Sequence, residues 1–453
     1  MKRMRINPAI FRAYDIRGRY PKEVNLDVAV LVGRGFALFI KEKMSVLRPT
    51  ILLGRDLRFS SDALRKGFIE GVIQSGADCI DLGVITTPEA IYIIATHQRA
   101  HAGAMITASH NPAEYNGFKF YLRGGEEIGL LNGLKRIRAL AEKYKQEKFL
   151  PMGQIKRGEA DGARYVRRLH QLVPALPPLR VLIDAAGGAA GTILPKVLSR
   201  YRLFYRPLFF DPDPHFSRHH PNPLDEDVAT MMKRELQKGS FDLGVSFDGD
   251  GDRAEFFDEN GAPIRSDIIF ALLAAAELKK KQKKNFVFEL THARFLGPFI
   301  EAYGGQLFVS KVGGVSVRRT MREKKAILGG ELSGHIYHGD IANVDSAIYT
   351  MLRLITLLGR AGESLSRLVG NFRRSAFRQF SVKHKAPQDA LKRILAHYKA
   401  HVVSRLDGVT VQYPSWWFNI RMSNTEPLLR LTIETDTDSE LKEAEREIKK
   451  IIG

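Results

Sequence analysis

The chain has 453 residues, of which 44% are hydrophobic, and 70 Lys and Arg residues against 50 Asp and Glu give it a net charge of +20. This length exceeds what one hydrophobic core supports, so we expect two to four domains. No apolar run is long enough to span a bilayer, and the basic N-terminus lacks the apolar core of a signal peptide, so we predict no membrane partner. The single cysteine, Cys79, excludes an internal disulfide and a cysteine cage for zinc, and is compatible with a cytoplasmic location.

The basic excess has two interpretations: a surface for nucleic acid or membranes, or a cleft for a small anionic substrate with further charge spread over solvated faces. Its densest run, residues 279–284, closes a predicted helix, where the helix dipole favours cations. The chain shows no aromatic-interleaved RNA motif and no DNA-reading module. We therefore predict a small anionic substrate and no nucleic acid, although the excess is larger than such a substrate requires.

The first 150 residues predict an α/β domain, because alternating strand and helix patterns favour a mainly parallel sheet. We predict strands at 50–54, 79–85 and 103–106, and helices at 26–41, 61–75 and from Pro88 to about Ala95. Ser60 or Ser61 is suited to cap the second helix. The earlier segment FRAYDIRG contains Tyr14 and Arg17. These residues either form the charged start of a strand or bind a phosphate, because the planar guanidinium group of arginine matches the geometry of phosphate oxygens.

A turn of sequence TASHNP follows the strand at 103–106 and carries Ser109 and His110. Buried parallel strands are continuous apolar runs, and ligand sites lie beyond their carboxyl ends. Pro112 lacks an N–H and disfavours helical backbone at the preceding residue, so the turn cannot continue as a helix. The turn is either an ordinary surface loop or a constrained loop that presents Ser109 to a ligand.

Residues 151–254 repeat the alternation after a basic, poorly apolar segment at 143–162 that marks a domain boundary. We predict strands at 179–183 and 241–247 and a helix beginning at 225–227. The glycine-rich turn at 184–191 lacks the GxGxxG spacing of a dinucleotide loop. We interpret it as close packing between a strand and a helix.

The strand at 241–247 ends in DGDGDR, where Asp248, Asp250 and Asp252 can turn three carboxylates toward one point. Hard oxygen ligands in this arrangement suit Mg²⁺ or Ca²⁺. An EF-hand is excluded, because Arg253 occupies the position that needs glycine and the flanks are strand-like. A solvated acidic turn is disfavoured by repulsion between the carboxylates. Because Mg²⁺ completes its shell with water or phosphate oxygens, a phosphoryl group on Ser109 would complete this site.

Two further loops carry polar groups. In GGELSGH, Glu331 and Ser333 are suited to bind hydroxyl groups, although glycine-rich turns with a buried histidine are also common without a ligand. The loop RMSNTEP lies in a C-terminal part of the chain that predicts a smaller α+β domain. The loop either binds a dianionic phosphate or begins a helix, with Ser-Asn-Thr-Glu as the N-terminal cap. The candidates for binding an anion here are Arg421, Ser423, Asn424 and Thr425, and Arg430 would add a second guanidinium group.

The motifs TASHNP, DGDGDR, GELSGH and RMSNTEP, in this order, resemble those of the α-D-phosphohexomutase superfamily. FRAYDIRG and the SNTEP loop resemble phosphomannomutases, including bifunctional phosphomannomutase/phosphoglucomutases. The resemblance implies an α/β fold of four domains around a central cleft: three similar α/β domains with mixed sheets and a smaller α+β C-terminal domain. The expected boundaries are 1–150, 151–254, 255–370 and 371–453.

The resemblance also implies the site. Ser109 would be carried as phosphoserine, with Mg²⁺ bound by its phosphate and by Asp248, Asp250 and Asp252. Arg17, Lys119 and Arg253 would surround the transferring group. Lys119 or His110 would be the general acid/base, and we favour Lys119, with a pKa lowered by nearby cations. The expected substrate-binding residues are Tyr14, Lys311, Glu331, Ser333, His335, Arg421, Ser423, Asn424, Thr425 and Arg430.

The implied activity is phosphomannomutase, passing through a hexose 1,6-bisphosphate that also serves as activator. Gly314 stands where related enzymes often carry a larger polar residue, so the choice between mannose and glucose stays open. The alternatives are a phosphoglucomutase, a phosphoglucosamine mutase, and an inactive phosphosugar-binding relative. We expect a cytoplasmic monomer or weak homodimer.

Overall fold

The computed structural model describes residues 6–143, 152–279, 284–370, 372, 375–423 and 428–453. The chain divides into two compact units. Unit 1 comprises Met1–Arg265 and Ser333–Leu365, and unit 2 comprises Ser266–Leu332 and Ser366–Gly453. Among the described residues, no helix is both long enough and apolar enough to cross a membrane.

The strands, in chain order, are β1 Ile16–Arg19, β2 Thr50–Arg55, β3 Asp78–Val84, β4 Ala102–Ile106, β5 Tyr115–Leu122, β6 Glu126–Glu127, β7 Ile155–Arg157, β8 Arg180–Asp184, β9 Phe204–Leu208, β10 Leu243–Phe247, β11 Ala254–Phe257, β12 Pro263–Ile264, β13 Asn285–Glu289, β14 Gln306–Ser310, β15 Leu328–Gly330, β16 Ile336–His338, β17 Val344–Asp345, β18 Ala376–Lys383, β19 Val402–Ser404, β20 Val409–Gln412, β21 Trp416–Met422 and β22 Leu428–Thr435.

The α-helices are α1 Leu26–Met44, α2 Ser61–Gln74, α3 Thr87–Thr96, α4 Lys135–Lys143, α5 Glu159–Leu172, α6 Ala190–Leu198, α7 Glu226–Gln237, α8 Ser266–Leu278, α9 Leu296–Ala302, α10 Gly314–Lys324, α11 Ala347–Ala361, α12 Leu365–Gly370, α13 Pro387–His397 and α14 Asp438–Ile452.

The first sheet of unit 1 has the order β1-β5-β4-β2-β3-β7, with β6 on β5. Its centre is parallel, as predicted, but β5 runs antiparallel to both β4 and β1, so the sheet is mixed. β7 lies beyond residue 150 and joins this sheet by pairing with β3. Helices α1 and α2 pack so closely that a Cβ at Gly71 would lie 2.0 Å from the carbonyl oxygen of Val30.

The second sheet of unit 1 has the order β12-β11-β10-β8-β9. β10 is wholly buried and pairs in parallel with β8 and antiparallel with β11. The glycine-rich turn after β8 packs tightly, as predicted, because a Cβ at Gly191 would lie 2.3 Å from the carbonyl oxygen of Phe210. Unit 1 also contains the antiparallel pair of β16 and β17.

In unit 2, β13 pairs in parallel with β14 and with β15. The C-terminal part of this unit is an antiparallel sheet of order β18-β22-β21-β20-β19. Helices α13 and α14 contribute Ile394 and Ile448 to its core, alongside Phe418 and Leu431 of the sheet. This arrangement agrees with the predicted smaller α+β tail.

The structure corrects two local predictions. Ser60 occupies the N-cap position of α2 but makes no capping hydrogen bond; its Oγ accepts a hydrogen bond from Asn116 Nδ2 at 2.8 Å. The alternative helix at RMSNTEP is wrong, because β21 precedes this loop and β22 begins at Leu428. Lys280, Lys281 and Lys283 of the lysine run lie outside the described residues.

Candidate active site

Ser109 lies just past β4, whose five residues are all buried. Its backbone adopts a left-handed conformation (φ 51°), and the residue is only 4% exposed. The N–H of Ser109 donates to Thr107 Oγ1 at 2.8 Å, and the N–H of Asn111 donates to the carbonyl of Ala108 at 3.0 Å. A non-glycine residue with positive φ is uncommon and persists only where its surroundings hold it. The loop therefore presents the Ser109 hydroxyl in a fixed orientation.

Arg58 holds the Ser109 loop in place through hydrogen bonds to its backbone. Its side chain is wholly buried, and Nε donates to Asp56 Oδ2 at 3.0 Å. Its two terminal nitrogens donate to four backbone carbonyls, those of Ser109, Asn111, Pro112 and Tyr115, at 2.6 to 3.1 Å. The sequence analysis did not assign this residue a function. The available signal was an arginine two residues after an aspartate at the end of a buried strand.

The acidic loop after β10 is fully buried at Asp248, Asp250 and Asp252. Asp248 Oδ1 accepts the N–H of Gly251 at 2.9 Å and that of Arg253 at 3.2 Å. Gly251 has a φ of 75°, a conformation that glycine adopts without steric cost. These contacts curl the loop so that its carboxylates face one another.

The acidic loop touches the Ser109 loop directly. Ser109 Oγ donates to Asp248 Oδ2 at 2.9 Å, and Arg253 Nη2 donates to Ser109 Oγ at 2.9 Å. Arg253 Nε also donates to Asp248 Oδ2, at 3.1 Å. A Cβ at Gly249 would lie 2.8 Å from the carbonyl oxygen of Ser109, so the approach leaves no room for a side chain. Ser109, Asp248 and Arg253 thus form one hydrogen-bonded group.

Lys119, on β5, lies against the other two aspartates. Its Nζ is 2.7 Å from Asp252 Oδ2 and 3.2 Å from Asp250 Oδ2. Burial opposes the ammonium form, but the charges of Asp250 and Asp252 raise the pKa of Lys119 well above its usual value. The prediction that nearby cations lower this pKa is wrong, because the nearest charges are carboxylates.

Asp250 is also held by two threonines. Thr87 Oγ1 donates to Asp250 Oδ2 at 2.7 Å, and Thr107 Oγ1 donates to the same oxygen at 3.0 Å. Thr87 is the first residue of α3, so this helix begins on the acidic loop. Neither threonine was assigned a function from the sequence.

The aspartates fit a divalent cation. One oxygen from each of Asp248, Asp250 and Asp252 lies within 4.8 Å of the others. Asp250 Oδ1 and Asp252 Oδ1 are buried and have no hydrogen-bond partner among the described residues. Buried polar atoms are normally paired, so these two oxygens are suited to bind a cation. A set made only of carboxylates is the donor type that Mg²⁺ and Ca²⁺ prefer.

The carboxylates differ in acidity. Burial, and then the charges of Asp252 and Asp250, raise the pKa of Asp248 well above its usual value. Burial acts in the same direction on Asp252 and is the largest single effect, but the positive charges of Lys119, His335 and Arg253 together outweigh it and hold the pKa of Asp252 at about 2. A bound cation would favour the ionised form of all three groups.

His110 and Arg17 complete the surroundings of Ser109. His110 Nδ1 lies 3.3 Å from Ser109 Oγ. The positive charge of Arg253, followed by burial and the charge of Arg17, lowers the pKa of His110 far below its usual value, so its imidazole is neutral at physiological pH. Arg17, on β1, donates to Asn111 Oδ1 at 2.6 Å and to Asp15 Oδ2 at 2.5 Å.

Unit 1 contains three of the predicted substrate-binding residues. His335 Nδ1 lies 3.0 Å from Asp345 Oδ2 and 3.9 Å from Asp252 Oδ1, which makes His335 a neighbour of the acidic loop. Ser333 Oγ is buried without a hydrogen-bond partner in the described part of the chain. Tyr14 lies in the bend before β1 and is half-buried.

Unit 2 contains the others that the structure describes. Glu331 follows β15 and is 5% exposed, whereas Lys311 follows β14 and is exposed. On the antiparallel pair of β21 and β22, Arg421 lies directly opposite Arg430, and Ser423 follows β21. Asn424 and Thr425 lie outside the described residues.

Glu289, at the end of β13, was missed by the sequence analysis. Its Oε1 accepts the N–H of Leu332 at 2.9 Å and the hydroxyl of Thr291 at 2.8 Å. Burial, and then the charge of Glu331, raise the pKa of Glu289 to about 7. Glu289 therefore anchors the backbone of the loop that carries Glu331.

Four family models match the chain. They are described as phosphoglucomutase/phosphomannomutase alpha/beta/alpha domains I, II and III and the C-terminal domain, over residues 8–148, 163–261, 265–375 and 379–451. A phosphomannomutase of Escherichia coli is 34% identical over 96% of each chain. A phosphomannomutase/phosphoglucomutase of Pseudomonas putida is 31% identical over 96% of this chain and 93% of its own.

Solved structures agree with these matches. A phosphoglucomutase/phosphomannomutase family protein from Burkholderia thailandensis has a TM-score of 0.90 at 27% identity and covers 99% of this chain and 97% of its own. A Paramecium parafusin (phosphoglucomutase) has a TM-score of 0.78 at 15% identity over 99% of this chain and 96% of its own, which indicates a shared fold. These matches confirm the predicted fold class of three α/β domains with mixed sheets and a C-terminal domain.

Proposed function

Because the chain belongs to the phosphoglucomutase/phosphomannomutase family, we propose that it interconverts mannose 6-phosphate and mannose 1-phosphate. The observation that carries this proposal is the contact of Ser109 Oγ with Asp248 and Arg253 beside a buried group of three carboxylates. A nucleophilic hydroxyl, a cation and an acidic metal site at one point are what reversible phosphoryl transfer needs.

The proposed reaction has two phosphoryl transfers. Phosphorylated Ser109 first gives its phosphoryl group to the free hydroxyl of a hexose phosphate. The Ser109 Oγ–phosphorus bond breaks as the sugar oxygen–phosphorus bond forms, and the proton lost by the sugar hydroxyl is balanced by protonation of Ser109 Oγ. The resulting hexose 1,6-bisphosphate turns over and returns its other phosphoryl group to Ser109. The sugar phosphate that leaves is the isomer of the one that entered. A trace of the bisphosphate would also phosphorylate Ser109 in inactive enzyme, which accounts for its expected activator role.

Protein groups suited to stabilise the transferring group already surround Ser109. Arg253 Nη2, 2.9 Å from Oγ, would pair with phosphoryl oxygens, and Arg17 would add a second positive charge. Asp248, Asp250 and Asp252 would hold Mg²⁺, a proposal supported by the two carboxylate oxygens that have no hydrogen-bond partner in the described part of the chain. Bound Mg²⁺ supplies charge neutralisation to the phosphoryl oxygens.

Lys119 and His110 are the two candidates for the general acid/base role, and their pKa shifts separate them. Lys119 is held as an ammonium by Asp250 and Asp252, so it is suited to donate a proton or stabilise negative charge, and not to act as a base. His110 is neutral, and its Nδ1 lies 3.3 Å from Ser109 Oγ. We therefore assign Lys119 the role of general acid, whereas His110, whose lowered pKa makes it a weak base, is suited to orient Ser109 Oγ by hydrogen bonding.

We assign the remaining residues to the sugar and to its non-reacting phosphate. The buried hydroxyl of Ser333 has no hydrogen-bond partner among the described residues, and the loop that carries Glu331 is anchored by Glu289, so both suit sugar hydroxyls. Arg421 lies directly opposite Arg430, so two guanidinium groups on neighbouring strands are placed side by side, as recognition of a phosphate requires. We propose sugar-binding roles for Tyr14, Lys311, Glu331, Ser333 and His335, and phosphate-binding roles for Arg421, Ser423, Asn424, Thr425 and Arg430.

A paired assay tests the proposed activity. Mannose 1-phosphate and glucose 1-phosphate are each supplied with Mg²⁺ and a trace of the matching 1,6-bisphosphate, and kcat/KM is measured for both. We expect turnover of both with mannose preferred, and loss of both in Ser109→Ala. Ser199→Ala, an exposed serine after α6, is the matched control. A preference for glucose would make the protein a phosphoglucomutase, turnover of glucosamine phosphate alone would assign it to that class, and no turnover would favour an inactive phosphosugar-binding relative.

The proposed enzyme works in the cytoplasm as a monomer or weak homodimer. The buried, free thiol of Cys79 needs no oxidising compartment and supports this location. Sedimentation of the purified protein across a concentration series tests the oligomeric state.

A further inference from the structure

Residues 213–217, between β9 and α7 in unit 1, form a turn that we call the Phe216 turn. Phe216 adopts a left-handed backbone conformation (φ 49°) and is 7% exposed. Positive φ is uncommon for a bulky residue and persists only where neighbouring contacts hold it, often close to an active site. The sequence analysis assigned Phe216 no function. Its backbone strain points to a position that matters for the residues around it.

The carboxylate of Asp213 fixes the backbone of this turn. Its Oδ2 accepts the N–H of Ser217 at 2.6 Å and the Ser217 hydroxyl at 2.7 Å, and its Oδ1 accepts the N–H of His215 at 3.1 Å. The N–H of Phe216 donates to the carbonyl of Asp213 at 3.1 Å. These hydrogen bonds are local to the turn and do not involve the aromatic ring. A substitution of the ring therefore leaves the contacts that shape the turn in place.

One side of the Phe216 turn contacts the residues that support the Ser109 loop. The guanidinium carbon of Arg58 lies 5.1 Å from the centroid of the Phe216 ring, which is cation–π distance. The Arg58 side chain is wholly buried, and a cation–π contact is stronger where the cation is desolvated. Beside it, the ring of His215 stacks on Phe59 at a centroid distance of 5.0 Å. The Phe216 ring thus contacts the guanidinium whose nitrogens hold the backbone of the Ser109 loop.

The tip of the same ring contacts the acidic loop. A Cβ at Gly249 would lie 3.1 Å from Phe216 Cζ and 2.8 Å from the carbonyl oxygen of Ser109. The Phe216 ring and the Ser109 backbone therefore approach the same point of the acidic loop. Gly249 directly follows Asp248, whose Oδ2 accepts the Ser109 hydroxyl. A shift of Gly249 would move this carboxylate relative to Ser109 Oγ.

The glycine-rich turn after β8 connects the Phe216 turn to the acidic loop through backbone groups. The N–H of Asp213 donates to the carbonyl of Gly187 at 2.9 Å, and the N–H of Ala189 donates to the carbonyl of Gly249 at 3.0 Å. The same glycine-rich turn thus binds both elements. The distance between the backbone of Phe216 and the acidic loop is therefore fixed independently of the ring.

We propose that Phe216 is a positioning residue for phosphoryl transfer, because its ring fixes the acidic loop relative to Arg58 and hence to Ser109. This inference rests on the proposed function, since it concerns the geometry of transfer at Ser109. Phosphoryl transfer depends mainly on positioning and charge stabilisation, and a misplacement of about 1 Å can cost roughly 100-fold in rate. Phe216 acts through Arg58 and Gly249 on the groups that react.

Two substitutions disturb the ring in different ways. Phe216→Leu keeps an apolar side chain but removes the aromatic face that Arg58 contacts. Phe216→Tyr keeps the face but adds a hydroxyl at Cζ, the ring atom nearest to a Cβ at Gly249. Both should lower kcat for mannose 1-phosphate by about tenfold or more and change KM by less than about twofold. Phe204→Leu and Phe204→Tyr, at a phenylalanine of β9 that is 66% exposed, are the matched controls and should keep wild-type kcat.

A merely structural role of Phe216 predicts a different pattern. The variants would then lose free energy of unfolding, and the enzyme that remains folded would turn over at the wild-type rate. Urea unfolding of each variant sets conditions in which all of them are folded, and kcat is compared there. Phe216→Tyr, which keeps the aromatic ring, serves if Phe216→Leu does not fold.

Binding of Mn²⁺ reports on the acidic loop without any turnover, and the paramagnetic resonance signal of the free ion measures it. The Mn²⁺ dissociation constant should rise by about threefold or more in both Phe216 variants and stay at the wild-type value in the Phe204 controls. Wild-type kcat together with wild-type Mn²⁺ affinity in the Phe216 variants would overturn the proposal, and so would equal losses in the controls. If the wild-type protein turns over neither sugar phosphate, the proposed function fails, and the Mn²⁺ affinities still decide the role of Phe216.

Discussion

The hydroxyl of Ser109 donates to Oδ2 of Asp248 at 2.9 Å, although 139 residues separate the two in the chain. Each residue follows a fully buried strand, β4 for Ser109 and β10 for Asp248. The two strands belong to different sheets of unit 1, and their end loops meet. A divalent cation in the acidic loop would therefore lie beside the hydroxyl that we propose is phosphorylated.

Asp250→Asn should weaken the binding of Mg²⁺ and lower the turnover together. Asp250 Oδ1 is one of the two carboxylate oxygens without a hydrogen-bond partner among the described residues. We expect the Mg²⁺ concentration for half-maximal rate to rise by roughly tenfold or more. A Mg²⁺ titration of mutase rate measures this. Asp211→Asn, at an exposed position, is the control and should titrate as wild type. An unchanged titration in Asp250→Asn would remove Asp250 from the metal site.

Arg58→Lys should lower kcat more than it raises KM. Lysine keeps the positive charge but cannot donate in the plane to the four carbonyls that Arg58 holds, so the Ser109 loop loses its fixed geometry. Losing buried hydrogen bonds to a charged group costs about 1.5–3 kcal/mol. Steady-state kinetics and urea unfolding check both effects. Arg99→Lys, at an exposed arginine, should change neither, and wild-type kcat in Arg58→Lys would show that the loop is held by other contacts.

Gly249→Ala should reduce activity strongly, because its Cβ would lie 2.8 Å from the carbonyl oxygen of Ser109 and push the two loops apart. A displacement of about 1 Å at a reacting group can cost on the order of 100-fold in rate. Gly297→Ala is the matched control, since no heavy atom lies within 4 Å of its Cβ. Comparison of kcat for the two variants decides the point, and equal activity would mean that the loops can separate without loss.

Glu89→Gln should flatten the dependence of stability on pH. Burial raises the pKa of Glu89 from its ordinary 4.5 to about 7, against the opposing hydrogen bonds from Thr86. Between these values the folded state binds a proton that the unfolded state has lost, so stability is present in full below pH 4.5 and declines as pH rises to about 7. The slope for one such group is about 1.4 kcal/mol per pH unit.

The measurement is urea unfolding of wild type and Glu89→Gln at pH 5 and pH 8. Glutamine keeps an acceptor for the Thr86 N–H, which Glu89 Oε2 accepts at 2.8 Å, but it cannot ionise. The variant should gain free energy of unfolding relative to wild type at pH 8 and less at pH 5. A constant difference between the two pH values would show that Glu89 does not titrate in this range.

Local patterns were sufficient to predict many of the elements. The apolar runs before Ser109 and Asp248 end where β4 and β10 end, because buried strands followed by glycine and proline leave few alternatives. Partners far along the chain were not predictable. Arg58 and Thr87 act on groups 51 and 163 residues away, and nothing in their neighbourhood specifies those contacts.

The charges that surround a side chain could not be predicted from the sequence either, because they too come from residues far along the chain. Lys119 was expected among cations, but β5 places it between Asp250 and Asp252, which reverses the direction of its pKa shift. The sequence after Arg421 shows that a local capping motif does not by itself predict a helix. Ser-Asn-Thr-Glu favours a helix start, yet the described chain resumes at Leu428 as β22, which pairs with β21.

The most direct test of the central claim is phosphopeptide mapping after incubation with glucose 1,6-bisphosphate and Mg²⁺. We predict one phosphoryl group on the peptide containing Ser109, its loss when mannose 1-phosphate is added, and no label in Ser109→Ala. Sustained turnover by an enzyme that carries no phosphate at Ser109 would contradict the account.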